Sequence, residues 1–358
     1  MSFWGLGIGL AERGWISDKV LRGVIRRLCE KRLQGLVQLA VQNGQHDRAT
    51  NESPRQLPLA VATEQANEQH YELPPEYFQL VLGSRQKYSC CYWDDDTTDL
   101  DQAEEQSLQR VCANARIENG QRILDLGCGW GSLTVWLAEH YPASKIVAVS
   151  NSTRQRAAIL EKLAQRNLSN VEVLTLDVGK SELLQLQQRE PFDRVVSIEM
   201  IEHVRNHELL LDQLCSLLTK DGALYFHFFC HDRRAYLFEE ASDTDWMTRY
   251  FFRGGMMPAR DLFQNISSRV ALVDSWVWPG THYQQTAEAW LQRHDANRVE
   301  IMEILTSHYG PAQAKLWFQR WRIFYLSVAE LFGYREGREW YVMHCLLQKS
   351  EAAAAPKN

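Results

Sequence analysis

Apolar positions along this chain follow two alternating periods, and the alternation becomes regular from about residue 100 onward. Residues 103–115 place apolar side chains at helical spacing, and 122–126 form a short apolar run. The helical period returns over 132–140 and a second apolar run over 145–149. The same succession predicts a helix over 153–166, strands over 171–176 and 193–198, a helix over 206–218 and a strand over 223–229. Strands separated by helices pair in parallel, because a parallel connection must cross back over the sheet. Two later runs, 271–278 and 340–348, supply a sixth and a seventh strand, with largely helical stretches predicted over 233–265 and 285–332. The expected fold is α/β, with these helical insertions roofing the sheet.

Upstream, Ser17 caps a predicted helix with Val20, Leu21, Val24, Ile25 and Leu28 at helical spacing. Lys19, Arg22, Arg26, Arg27, Lys31 and Arg32 lie around the rest of it. A basic amphipathic helix commonly covers a neighbouring domain and less commonly sits on an anionic membrane surface. Residues 43–70 are polar and proline-punctuated and read as a linker. The expected organisation is a helical segment with linker over 1–85, a ligand-binding core over 86–232, a lid with the last two strands over 233–349 and a disordered tail over 350–358.

The chain has 358 residues, 45% of them hydrophobic, enough to bury a sizeable core. A net charge of −6 lacks the excess of Lys and Arg that a nucleic-acid footprint requires, so no nucleic-acid partner is expected. Cysteines 29, 90, 91, 112, 128, 215, 230 and 345 show no C-x-x-C spacing and read as free thiols. The first residues lack the basic start of a signal peptide and no apolar run reaches membrane-spanning length, so a cytoplasmic protein without stable membrane insertion is expected. Twelve tryptophans, several of them in the last third, predict an aromatic pocket there.

Candidate chemistry begins at Ile123, Leu124 and Leu126, a strand that runs into glycines at 127, 129 and 131 and then into a helix. Glycines there let the backbone turn and approach a ligand, and the helix start offers free N–H groups. A dinucleotide turn is spaced G-x-G-x-x-G, whereas this third glycine comes one residue early. The G-x-G-x-G form closed by Asp125 resembles the first motif of class I methyltransferases that bind S-adenosylmethionine.

In an open α/β sheet the ligand lies beyond the carboxyl ends of the strands. After the second strand, residues 150–155 (Asn151 and Gln155 among them) supply hydroxyls and an amide where many methyltransferases place an acidic residue on the ribose. After the third, Asp177 is placed for an adenine amino group, with Val178 beside it. After the fourth come Ser197, Glu199, Glu202 and His203. If a helical turn starts there, Glu199 shares a face with Glu202 and His203, and crowded carboxylates raise one another's pKa into the range of a useful base. Histidines 203, 207, 227 and 231 could supply metal ligands, but methyl transfer from a sulfonium requires none, and no metal is expected.

From about residue 86 to 349 the chain resembles the cyclopropane fatty acid synthase superfamily, and within it the coclaurine N-methyltransferases. The strings that carry the resemblance are KYSCCY (87–92), DLGCGWGSL (125–133), SIEMIEH (197–203), HFFCH (227–231), DWMTRYFFRGG (245–255), HYQQT (282–286) and AELFGY (329–334). The resemblance implies a class I methyltransferase, Rossmann-like seven-stranded sheet in the order 3-2-1-4-5-7-6, its last strand antiparallel. It also implies S-adenosylmethionine as cofactor, S-adenosylhomocysteine as product, a small cyclic or aromatic amine as substrate partner, and a homodimer as the assembly it suggests.

Carried residue by residue, Tyr88 and Ser89 would hold the methionine end of the cofactor, Asp125, Gly127 and Gly129 its turn, Asn151 and Gln155 the ribose, Asp177 and Val178 the adenine, with Ser197 nearby. Glu202 and His203 would serve catalysis, with Glu199 in the substrate site. Glu72, Cys90, His227, Trp246, Phe252 and Tyr283 would complete the substrate pocket. Cys90, Glu202, His227 and Tyr283 also match the positions with which cyclopropane synthases hold a bicarbonate base, so alkylation of an unsaturated acyl chain stands as the alternative function.

Overall fold

The computed structural model describes residues 3–42, 58–60, 73–240, 245–264, 266 and 269–350. Its centre is a sheet built from β1 (Arg122–Leu126), β2 (Lys145–Ser150), β3 (Val171–Thr175), β4 (Phe192–Ile198), β5 (Leu218–His231), β8 (Val270–Trp278) and β9 (Trp340–Lys349). Two-residue strands β6 (Tyr236–Leu237) and β7 (Met256–Met257) pair separately. The main order is β3-β2-β1-β4-β5-β9-β8, which is the expected 3-2-1-4-5-7-6 once the small pair is set aside. β1 to β5 run parallel, and β9 is antiparallel to both β5 and β8. Central β5 is buried continuously from Gly222's neighbour Ala223 to Cys230, as expected for a strand covered on both faces.

Helices flank the sheet where the period placed them: Leu100–Asn114, Ser132–His140, Thr153–Gln165 and His207–Leu217. Their starts are chemically marked. Asp99 accepts from Gln102 N–H, Ser152 from Gln155 N–H and Asn206 from Leu209 N–H, each satisfying an orphan helical donor. The roof is formed by helices Gly280–Ala296, Arg298–Tyr309 and Pro311–Gly333 together with the N-terminal helices Phe3–Glu12 and Asp18–Gln42.

Two expectations change. The described residues of 233–265 are mostly irregular, with one short helix at Trp246–Tyr250; Phe251 and Phe252 pack their rings on Phe324, Phe252 also on Phe229, and Phe238 on Phe252. Within the supposed linker, Leu59 is buried and its carbonyl accepts from Arg205 N–H, so this point is pinned beside the end of β4. Residues 43–57, 61–72 (Glu72 included) and the tail 351–358 lie outside the described residues. The basic N-terminal helix covers a neighbour. Arg22 bonds Glu288 and Glu330 of the roof at 2.5 and 2.9 Å, and Arg26 also bonds Glu330. No described helix is long and apolar enough to cross a membrane.

Candidate active site

Two cavities lie beyond the carboxyl ends of β1 to β5. The first, about 150 Å³, is bounded by the glycine turn and by the segments after β2, β3 and β4. Tyr88, Ser89, Asp125, Gly127, Gly129, Asn151, Gln155, Asp177, Val178, Glu199 and His203 all line it, which brings together most residues predicted for one site. Gly127 and Gly129 have φ of +79° and +52°, the left-handed region that favours glycine. Asp125 is buried and accepts from the Thr134 hydroxyl at 2.6 Å; burial pushes its carboxyl up to about 7. Asp177 accepts from Gly179 N–H at 2.8 Å, which shapes the turn after β3. Ser197 does not reach the cavity: its hydroxyl donates to the Leu126 carbonyl at 2.8 Å and ties β4 to β1.

The second cavity, about 380 Å³, is mostly apolar, with aliphatic and aromatic walls. Trp246, Phe252 and Tyr283 line it as expected, joined by Phe229, Phe238, Met257 and Phe332. Its far wall comes from the N-terminal helices through Ile8, Ala11, Leu21, Ile25 and Cys29. Sequence reasoning missed that wall, because a helix's apolar face shows that something is covered and not what.

An acidic cluster joins the two walls: Glu199 lines the first cavity and bonds Tyr283 of the second, whereas the predicted site residues Glu202, Cys90 and His227 line neither. Glu199 follows β4 with φ +47°, ahead of a 3-10 turn at Ile201–His203, so it does not share one helical face with Glu202 as its spacing predicts. Instead the Glu199 carboxylate accepts from Cys90 N–H at 2.8 Å and the Tyr283 hydroxyl at 2.7 Å, with His227 Nε2 at 3.2 Å. Burial raises its pKa, while the Lys87 charge and the bonds from Tyr283 and Cys90 oppose the rise.

Glu202 is buried and accepts from Phe229 N–H at 2.8 Å, and its other oxygen has no hydrogen-bond partner among the described residues. Burial and then the Glu199 charge push its pKa well above the ordinary carboxylate range. Burial drives His203 down to about 4, so its imidazole is neutral near pH 7. His207 also falls to about 4 and bonds the Ile201 carbonyl at 3.0 Å. Among the described residues, no group of three or more His, Cys, Asp or Glu could hold a metal ion.

The support behind this cluster was not visible in the pattern. Lys87 is buried and bonds Ser89 Oγ at 2.7 Å and the Cys90 carbonyl. Glu104 accepts from the N–H groups of Gly83, Arg85 and Lys87 and so orders the chain entering the KYSCCY string. Thr286 accepts from Cys91 N–H at 3.0 Å and Trp93 Nε1 at 2.9 Å, fixing the chain leaving it.

Comparison with known proteins gives the frame for this geometry. The family model for mycolic acid cyclopropane synthetase matches residues 60–326. The chain is 36% identical over 344 residues to (S)-coclaurine N-methyltransferase of Thalictrum flavum subsp. glaucum, covering 94% of each. It is 27% identical to the cyclopropane-fatty-acyl-phospholipid synthase of Escherichia coli (strain K12), covering 77% of this chain and 66% of that one. A crystal structure of coclaurine N-methyltransferase bound to N-methylheliamine and SAH superposes with a TM-score of 0.87 at 37% identity, covering 95% of this chain and 98% of the other.

The chain belongs to the cyclopropane synthetase family. Within it, this member is an S-adenosylmethionine-dependent methyltransferase with the class I fold. Its first cavity fits that cofactor. A Cβ built on Gly129 meets no protein atom within 4 Å, so the space over the turn is open, and the buried Gln155 amide leaves Nε2 without a hydrogen-bond partner among the described residues. Gly129→Ala is expected to weaken cofactor binding by about tenfold or more, equivalent to about 1.4 kcal/mol, and to cost about 1 kcal/mol of folding stability because residue 129 holds φ +52°. Calorimetric titration with S-adenosylhomocysteine and a thermal melt check this; an unchanged Kd would remove the turn from the binding site.

Proposed function

We propose that this methyltransferase N-methylates a small cyclic or aromatic amine of the tetrahydroisoquinoline type, with Glu202 and His203 handling the proton. The observation that carries the reading is that Glu199, on the wall of the glycine-turn cavity, and buried Glu202 are each hydrogen-bonded to a residue of the second cavity's wall, Tyr283 and Phe229. The coclaurine N-methyltransferase relatives support it.

S-adenosylmethionine, when bound, supplies a methyl group on a cationic sulfur. A protonated amine has no lone pair to offer, so the protein must take a proton as well as align the nitrogen. Glu202 suits the first task, since its raised pKa makes it a stronger base than an exposed carboxylate and one oxygen is uncommitted among the described residues. His203, neutral on the wall of the first cavity, can pass or orient that proton without adding a second cation. Tyr283, Phe229, Phe252 and Trp246 line the second cavity, and aromatic rings there can stabilise a cationic nitrogen.

The test is mass spectrometry of the purified protein with methyl-labelled cofactor and two panels, cyclic amines and unsaturated phospholipids. Label is expected on the amine nitrogen; label appearing only in the lipids would sink the amine reading in favour of acyl-chain alkylation.

A further inference from the structure

Three donors from three separate elements converge on one carboxylate. Cys90 N–H comes from the 87–93 segment, His227 from β5 and Tyr283 from the Gly280–Ala296 helix, and all meet the Glu199 side chain at 2.8, 3.2 and 2.7 Å. The site is enclosed. His227 and Cys90 are fully buried, Tyr283 nearly so, and buried Lys87 lies close enough for its charge to favour an anion there. Convergent N–H and O–H donors beside a buried cation make an anion-binding concavity, independent of which anion fills it.

The backbone at Glu199 is strained. Glu199 holds φ +47°, a region uncommon for residues other than glycine and costly where it occurs. Its own N–H donates to the His227 carbonyl at 2.7 Å, so the strained residue is fastened to β5 on both its backbone and its side chain. Three of the positions matched above to a bicarbonate site, Cys90, His227 and Tyr283, are therefore already spent on Glu199. The fourth, Glu202, turns away to Phe229 N–H.

We propose that Cys90 N–H, His227 and Tyr283 form an oxyanion cradle whose resident ligand is the chain's own Glu199 carboxylate. Turnover then needs no free bicarbonate, and removing the side chain opens a site for a small planar oxyanion such as formate. The tethered anion stays charged while Glu202 carries the proton, and it offsets the positive charge that passes from sulfur to nitrogen. Glu199 acts on the reacting atoms through its charge; the three donors are positioning groups.

The experiment compares wild type, Glu199→Gly and Glu199→Gln. Glycine relaxes the positive φ and empties the cradle, whereas glutamine fills it without charge. In CO2-depleted buffer wild type keeps its full rate, and both variants lose about 10²-fold or more in kcat. Added formate or bicarbonate raises the Glu199→Gly rate by about tenfold and leaves Glu199→Gln and wild type unchanged.

Binding is read separately, by thermal melts with formate and no substrate. Only Glu199→Gly is stabilised. The catalytic arm rests on the amine reading above and the melting arm does not, so the two fail separately. A wild-type rate that depends on added bicarbonate overturns the proposal, as does a Glu199→Gly protein whose melt ignores formate.

Discussion

Glu202→Gln is expected to bind S-adenosylhomocysteine as wild type does while kcat for an amine acceptor falls by about 10²- to 10⁴-fold, the usual span for loss of a general base. The substitution keeps the acceptor oxygen for Phe229 N–H and the buried volume, and removes only the oxygen that can take a proton. The pH profile supplies the second readout. Glu202 is raised by burial and by Glu199, so its deprotonated form grows as pH climbs well past the ordinary carboxylate range. A base in that position makes kcat/KM rise with pH over the same interval, and the glutamine variant should lose that limb. Retention of the limb at a reduced rate would move the proton acceptor to another residue.

Gly280→Ala is expected to destabilise the fold by about 3 kcal/mol or more and to abolish turnover, because overpacking against backbone has no side-chain escape. A Cβ at 280 falls 2.1 Å from the Trp340 carbonyl oxygen, 2.2 Å from that of Phe332 and 3.0 Å from Gly337 Cα. Alanine's better helix propensity, about 1 kcal/mol, works the other way and is outweighed. The helix that starts at Gly280 carries Tyr283 to Glu199, Thr286 to Cys91 and Trp93, and His282 to Trp93 N–H. Any shift at its first turn therefore reaches the acidic cluster. Urea unfolding with a kinetic assay checks this, and a variant as stable as wild type would show that the helix start does not press on β9.

The glycine-turn cavity was readable because it depends on local rules. A strand, its glycine turn and the following helix are contiguous, and the segments after β2 and β3 reach the same place by the topology of a parallel sheet. Ser197 shows where that reasoning stops. Lying near the carboxyl end of β4 suggested the ligand, but its side chain meets the Leu126 carbonyl, a difference of facing that sequence position alone does not resolve. The 233–265 stretch failed differently. It was expected to be largely helical, yet among its described residues the only helix is Trp246–Tyr250, and Phe238 and Phe251 pack their rings on Phe252 and Phe324.

What the sequence by itself determined is the succession of strands and helices, the glycine turn and the identity of the acidic residues after β4, since each is encoded within one element or its immediate neighbour; the sheet order came from the family resemblance. Only the tertiary structure decided what those acids do. Glu199 and Glu202 are three positions apart on the same short segment, but Cys90, His227 and Tyr283 arrive at one of them and Phe229 N–H at the other. The two carboxylates part company because a buried carboxylate's charge is set by the groups around it, and here the hydrogen-bond donors come from residues up to 109 positions away in the chain.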